Sequence, residues 1–142
     1  MKLYHTQLSN ISKKAIIGNN TVIHAGCHIH DEVKIGDHCQ IQAQAFIPNG
    51  VTIEDDVFVG PQVVFTNDPS LDVPRGSWKP TPTLICEGAK IGANATVRAG
   101  VTVGRNAIVG MGSVVLCDIP AGETWVGNPA RKIVKVVMAT IT

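Results

Sequence analysis

The sequence predicts an all-β fold in which one chain coils into a triangular prism of short parallel strands. Three observations lead to this prediction: an aliphatic residue recurs every six positions, glycine occurs 14 times in 142 residues, and aromatic residues make up only 4%. A core without large aromatic rings must be built from stacked small and branched aliphatic side chains. Such a core suits short strands better than packed helices.

The six-residue period carries most of the fold prediction. Its members are Ile11, Ile17, Ile23, Ile29, Ile35, Ile41, Ile47, Ile53, Val59 and Phe65, then Ile85, Ile91, Val97, Val103, Val109 and Val115. A period of six fits neither an α-helix nor simple strand alternation, but it fits a short strand followed by a corner. Three such hexads make one triangular coil, so each aliphatic residue stacks on its counterpart about 4.8 Å away in the next coil.

The period is interrupted once, after Phe65. The next in-phase residue is Ile85, twenty positions on instead of six, so about fourteen extra residues leave the prism. Residues 66–83 read TNDPSLDVPRGSWKPTPT, and their four prolines exclude a regular strand. We expect one domain, with coils at about 11–66 and 84–127, an external loop at 67–83 and a tail at 128–142. Long loops on a rigid scaffold are frequent carriers of function.

Composition and charge narrow the classes of partner. The net charge of +1 predicts neither a nucleic-acid surface nor a basic membrane patch. The chain shows no apolar run of membrane-spanning length, and its four cysteines form no C-x-x-C pair and match no zinc spacing. We therefore expect a cytoplasmic protein with reduced cysteines that binds no metal, nucleic acid or membrane.

The C-terminal run Gly127-Asn128-Pro129-Ala130-Arg131, together with the repeat, resembles hexapeptide-repeat acyltransferases that bind coenzyme A. That resemblance, and not the period, implies a left-handed parallel β-helix, because parallel crossovers are ordinarily right-handed. It also implies acetyl-CoA as co-substrate, with cationic side chains near the 3′-phosphate-bearing end and backbone groups along the pantetheine. The cations are Arg131, Lys132 and Lys135, and the backbone positions are Thr83, Ala99, Gly100 and Gly110.

The residues around the loop narrow the resemblance further. Four segments resemble the corresponding segments of nucleotide-sugar N-acetyltransferases, which act on 3-amino sugars carried by dTDP or UDP. They are Gly60-Pro61, Phe65-Thr66-Asn67, Pro74-Arg75 and the run from Gly88 to Asn94. The resemblance places Asn67 at the reaction centre, where it positions the thioester or the amine. Asp68 then attracts an ammonium group and receives its proton. The expected contacts to the sugar substrate are His30, Gln42, Gln44 and Arg75.

Chemistry favours an amine acceptor independently. A free amine attacks a thioester unaided, whereas a hydroxyl group needs a base to remove its proton. Residues 60–68 contain no histidine, which suits N-acetylation. The protein then supplies approach geometry and backbone N–H groups for the oxyanion.

Two other functions stay open. One is a sugar O-acetyltransferase with His28 or His30 as base, and the other is a non-catalytic trimeric scaffold. A zinc site like that of the γ-class carbonic anhydrases is not expected, because His24 and His28 are four apart instead of five and no histidine follows residue 38. Outward Phe46 and Phe58 favour a closed homotrimer with sites between adjacent subunits.

Overall fold

The computed structural model describes residues 2–3, 8–72, 74, 76–77 and 79–134. Regular structure in these ranges consists of nineteen β-strands, most of them two residues long, with no α-helix. The strands are β1 (Lys2–Leu3), β2 (Asn10–Ile11), β3 (Ile16–Ile17), β4 (Val22–Ile23), β5 (His28–Ile29), β6 (Lys34–Ile35), β7 (Gln40–Ile41), β8 (Phe46–Ile47), β9 (Val51–Ile53), β10 (Phe58–Val59), β11 (Val64–Phe65), β12 (Thr83–Ile85), β13 (Lys90–Ile91), β14 (Thr96–Val97), β15 (Thr102–Val103), β16 (Ile108–Val109), β17 (Val114–Val115), β18 (Thr124–Gly127) and β19 (Ala130–Ile133).

The strands stack into three sheets that form the faces of a prism. Face A has the order β1-β4-β7-β10-β13-β16-β18-β19, face B the order β2-β5-β8-β11-β14-β17, and face C the order β3-β6-β9-β12-β15. Consecutive strands up to β17 lie on successive faces, so three strands complete one of about six coils. In-phase aliphatic residues pair in register, as Ile29 with Ile47 and Ile35 with Ile53. The prediction of an all-β, left-handed parallel β-helix is confirmed.

The core is the stack of inward aliphatic side chains. The largest fully buried side chain in this stack is the aromatic ring of Phe65. The small residues that follow each strand fill the tight corners, and two of these are Cys27 and Cys39. Their thiols donate hydrogen bonds to the carbonyls of Gln42 (3.1 Å) and Glu54 (3.0 Å). Burial raises the pKa of both thiols, so they stay protonated and act as small core residues.

The corners require unusual backbone angles. The third residue of most four-residue corners has a positive φ, a region that glycine and asparagine enter most readily. His38 (φ 58°) and Gln44 (φ 62°) adopt it as well. Gly60 begins another corner, and a Cβ there would lie 2.7 Å from the backbone nitrogen of Ala93 in the next coil. Coil packing thus explains the glycine of the Gly60-Pro61 motif.

An antiparallel hairpin closes the C-terminal end of the prism. Strand β18 continues face A beside β16 and then pairs with β19 in the opposite direction. Trp125 takes the inward position of the aliphatic residues, and its Nε1 donates to Glu123 at 3.0 Å. Strand β19 thereby pairs the outer edge of β18 and is itself the terminal strand of face A.

Candidate active site

The prism has three corners, and each is lined by different polar side chains. The loop corner joins faces B and C and contains Asn49, Asn67 and the external loop. The glutamine corner joins faces A and B and contains Gln42, Gln44 and Gln62. The acidic corner joins faces C and A and contains Asp37, Asp55 and Glu87.

The external loop leaves and rejoins the prism at one corner. At its start, the Thr66 hydroxyl accepts a hydrogen bond from the Ala99 N–H (3.1 Å). At its end, the Thr83 hydroxyl accepts one from the Gly100 N–H (3.1 Å), and the Thr83 N–H donates to the Gly50 carbonyl (3.0 Å). Both roots are thus tied to neighbouring coils, so residues close to them are held by the rigid scaffold.

Asn67 lies half-buried at the start of the loop. Its Nδ2 donates to the backbone carbonyl of Asn49 in the preceding coil, at 3.2 Å. A carbonyl only accepts hydrogen bonds, which fixes the orientation of the amide. The Oδ1 atom is the hydrogen-bond acceptor of the same amide. Asp68, the next residue, is exposed.

A cavity of about 400 Å³ opens at the same corner, towards the N-terminal end of the prism. Its walls are formed by Asn10, Ser12, Ile29, His30, Asp31 and Asn49. The His30 ring also packs edge-on against Phe46, with ring centroids 5.1 Å apart. Asn49 links the cavity to Asn67, since it lines the former and binds the latter. His30 and Asn67 thus share one corner, two coils or about 10 Å apart along the axis.

The other predicted sugar contacts lie elsewhere. Gln42 and Gln44 are at the glutamine corner, across face B from Asn67. Gln44 is exposed, and its Oε1 accepts a hydrogen bond from Gln62 Nε2 at 2.8 Å. A single chain does not bring these glutamines to the loop corner. Arg75 falls outside the described residues.

The backbone N–H groups predicted to contact the pantetheine already form hydrogen bonds within the prism. The N–H groups of Ala99 and Gly100 already donate to the hydroxyls of Thr66 and Thr83, which leaves their carbonyls for a ligand. Gly110 lies at the glutamine corner and donates its N–H to the Trp125 carbonyl at 2.9 Å. A Cβ on Gly110 would collide with the Val126 side chain, so coil packing explains that glycine.

The predicted phosphate-binding cations project from strand β19. Lys132 Nζ lies 3.4 Å from a carboxylate oxygen of Glu123, which offsets its charge. Arg131 is exposed, and its Nη1 donates to the neighbouring Ala130 carbonyl at 2.9 Å. Lys135 falls outside the described residues. On face A, β19 is four strands beyond β10, the strand of the Asn67 coil, which places these cations roughly 19 Å from that coil along the axis.

Two further findings concern other classes of partner. Among the described residues, no group of three or more His, Cys, Asp and Glu side chains is arranged to hold a metal ion. Within the same ranges, no helix has the length and apolar character needed to span a bilayer.

Sequence reasoning missed two residues of the loop corner, Asn49 and Arg98. Arg98 Nη2 donates to the carbonyl of Pro69, inside the loop, at 3.0 Å. A signal for both was present in the period. Asn49 precedes Asn67 by eighteen residues, one full coil, and Arg98 falls at the same corner once the loop insertion is discounted.

Comparison with known proteins identifies the family. A family model for the bacterial transferase hexapeptide (six repeats) matches residues 14–49 and 82–117, which together make up half of the chain. The chain therefore belongs to the hexapeptide-repeat transferase family, as its sequence indicated.

Individual relatives agree with this assignment. The provisionally named acetyltransferase YJL218W of Saccharomyces cerevisiae is 33% identical over 116 residues, which cover 78% of this chain and 59% of that protein. The acetyltransferase domain of PglB from Neisseria gonorrhoeae, also solved with acetyl coenzyme A, has a TM-score of 0.79 at 26% identity, covering 92% of this chain and 57% of that one.

A further solved structure contains CoA together with a nucleotide-linked sugar. A variant of perosamine N-acetyltransferase from Caulobacter crescentus, in complex with CoA and GDP-perosamine, has a TM-score of 0.78 at 26% identity and covers 90% of this chain. This chain spans 54% of that protein, 57% of the Neisseria domain and 59% of the yeast relative.

Proposed function

We propose that the protein is an acetyl-CoA-dependent N-acetyltransferase. Its acceptor is the amino group of a sugar, nucleotide-linked as a dTDP- or UDP-3-amino sugar and used in surface-polysaccharide biosynthesis. The observation that carries the proposal is Asn67, held by the Asn49 carbonyl above a polar cavity at the root of the external loop. The four free cysteines suit a cytoplasmic location.

The reaction uses the hydrogen-bonding geometry of Asn67. The amine donates an N–H to Oδ1, which directs the nitrogen lone pair at the thioester carbon. The C–N bond forms, the C–S bond breaks and CoA leaves as its thiolate. The proton released by the nitrogen passes to Asp68 or, through solvent, to the thiolate. Backbone N–H groups stabilise the intermediate oxyanion.

The cofactor extends from the loop corner to the C-terminal end of the prism. Arg131, which lies outside the Lys132–Glu123 pair, binds the 3′-phosphate. Lys132 and Lys135 add positive charge. Of the predicted backbone positions, Ala99 and Gly100 contribute carbonyl oxygens to the pantetheine amides, since their N–H groups are engaged.

Binding of CoA to the Arg131→Ala variant tests the cofactor assignment. We expect calorimetry to give a Kd for CoA about tenfold higher than in the unchanged protein, since one charge-assisted phosphate contact of about 1.4 kcal/mol is lost. Dephospho-CoA, which lacks the 3′-phosphate, should bind both proteins equally.

Arg105→Ala is the matched control, because Arg105 pairs with Glu87 at the acidic corner (3.5 Å) and should leave CoA affinity intact. An equal Kd for CoA in the Arg131 variant would contradict the assignment. If the unchanged protein binds no CoA at millimolar concentration, the scaffold function replaces the enzymatic one.

O-acetylation is the second candidate, and one observation favours it. His30 lines the cavity beside Asn49, where an imidazole would be placed to remove the proton of a sugar hydroxyl. O-acetylation requires that base, whereas N-acetylation does not.

We also propose a homotrimer with three sites between adjacent subunits. Face B of the single chain presents an apolar surface that includes Phe46, Val64 (38% exposed) and Val114, and Leu116 (47% exposed) lies at its border. This face separates the loop corner from the glutamine corner. A closed threefold ring that covers it joins the loop corner of one chain to the glutamine corner of the next, which would unite Asn67 with Gln42 and Gln44.

Light scattering after size exclusion should give three times the 15.0 kDa chain mass. A stable single-chain mass would exclude the ring.

A further inference from the structure

We propose that Arg98 is a positioning residue for the transfer reaction and acts through the entrance of the external loop. The inference rests on the proposed function, since it assigns Asn67 and Asp68 to the reaction centre. Its basis is a hydrogen bond that connects the prism to the loop. Arg98 Nη2 donates to the Pro69 carbonyl at 3.0 Å.

The bond completes a two-sided clamp. On one side, Asn67 is held by the carbonyl of Asn49, which belongs to the preceding coil. On the other side, Pro69 is held by Arg98, which belongs to the following coil. Asp68 lies between these two fixed residues. Residues 67–69 are therefore held by hydrogen bonds to the preceding and the following coil, although they form no strand.

The base of this clamp is rigid. The Arg98 N–H donates to the Val115 carbonyl at 3.0 Å, and the next residue, Ala99, is buried. The guanidinium is a charged donor, and charge-assisted hydrogen bonds are roughly twice as strong as neutral ones. Among the described residues, three side chains bond at the entrance, those of Thr66, Asn67 and Arg98. The Arg98 bond has the charged donor, is exposed to solvent, and is the one that holds the chain beyond Asp68.

Removal of the guanidinium releases Pro69 and leaves the entrance with the neutral bonds of Thr66 and Asn67. Displacement of a positioning group by about 1 Å lowers transfer rates by up to about 100-fold. We expect Arg98→Ala to lower kcat between 10- and 100-fold, with the KM for acetyl-CoA within about twofold of the original, because the cofactor cations lie several coils away. Arg98→Lys keeps a charged donor and should recover part of kcat.

A second readout does not depend on activity. Leu71 is 97% exposed and lies two residues beyond Pro69, so thermolysin cleavage before Leu71 reports how firmly the entrance is held. We expect Arg98→Ala to be cut at least fivefold faster under native conditions, Arg98→Lys at an intermediate rate, and Arg105→Ala at the original rate. The Tm of all three variants should stay within about 3 °C of that of the unchanged protein, as is usual for surface substitutions.

The outcomes separate this inference from the function it rests on. Lower kcat, faster cleavage and partial recovery by lysine support the clamp. An unchanged kcat or an unchanged cleavage rate in Arg98→Ala overturns it. If the unchanged protein acetylates no acceptor, the proposed function has failed, and the cleavage rates alone then decide whether Arg98 holds the loop.

Discussion

Asn67→Ala is expected to lower kcat/KM for the amino acceptor by about 100-fold, the size of effect seen when one positioned polar group is lost from an acyl-transfer site. The variant loses both the bond to Asn49 and the Oδ1 acceptor for the amine. CoA affinity should stay within about twofold, because the cofactor is held mainly at the distant end of the prism. Steady-state release of CoA, followed with a thiol reagent, measures the effect.

Two comparisons sharpen this result. Asn67→Asp keeps an oxygen acceptor but cannot donate to the Asn49 carbonyl, so it should be at least as impaired as the alanine variant. A combined His28→Gln and His30→Gln variant should raise the KM for the acceptor yet retain measurable transfer, because an amine needs no base. Full activity of Asn67→Ala together with abolished activity of the histidine variant would reverse the assignment in favour of O-acetylation.

Phe65→Ala is expected to lower the free energy of unfolding by about 3–5 kcal/mol, the range for deletion of a fully buried aromatic ring. Phe65 is 0% exposed and pairs in register with Val97 on face B. Its ring fills the prism at the coil from which the external loop departs, so the cavity left behind also loosens Thr66 and Asn67. Urea-induced unfolding followed by circular dichroism gives the magnitude.

Phe58→Ala supplies the control. Phe58 points outward from face A and is half-buried, so its loss should reduce stability by less than half as much. Equal effects of the two substitutions would show that the Phe65 ring contributes little to the stack, contrary to its place in the period.

Much of the fold could be predicted from the sequence, because the six-residue period determines both the register of strand pairing and the face of the prism on which each strand lies. Residues eighteen apart, such as Ile29 and Ile47, stack directly, so the strands and the position of the loop follow by counting. The same count assigns each residue to a corner. It would have placed Asn49 beneath Asn67, and Gln42 and Gln44 at a different corner from Asn67.

The remainder depends on interactions that a period does not encode. The left-handed backbone of Glu32 and Gln44 runs against the preferences of those residues and is imposed by corner geometry. The use of the Ala99 and Gly100 N–H groups by two threonine hydroxyls depends on how the loop rejoins the prism. Union of the loop and glutamine corners would require a second chain. The roles assigned to the site residues stay predictions.

The most direct measurement of the central claim compares a nucleotide-linked amino sugar with its hydroxyl counterpart, using radiolabelled acetyl-CoA. We predict that label is transferred only to the amino sugar and resists neutral hydroxylamine, as an amide does. Label that is transferred equally to the hydroxyl sugar, or that hydroxylamine removes as it removes an ester, would contradict N-acetylation at the loop corner.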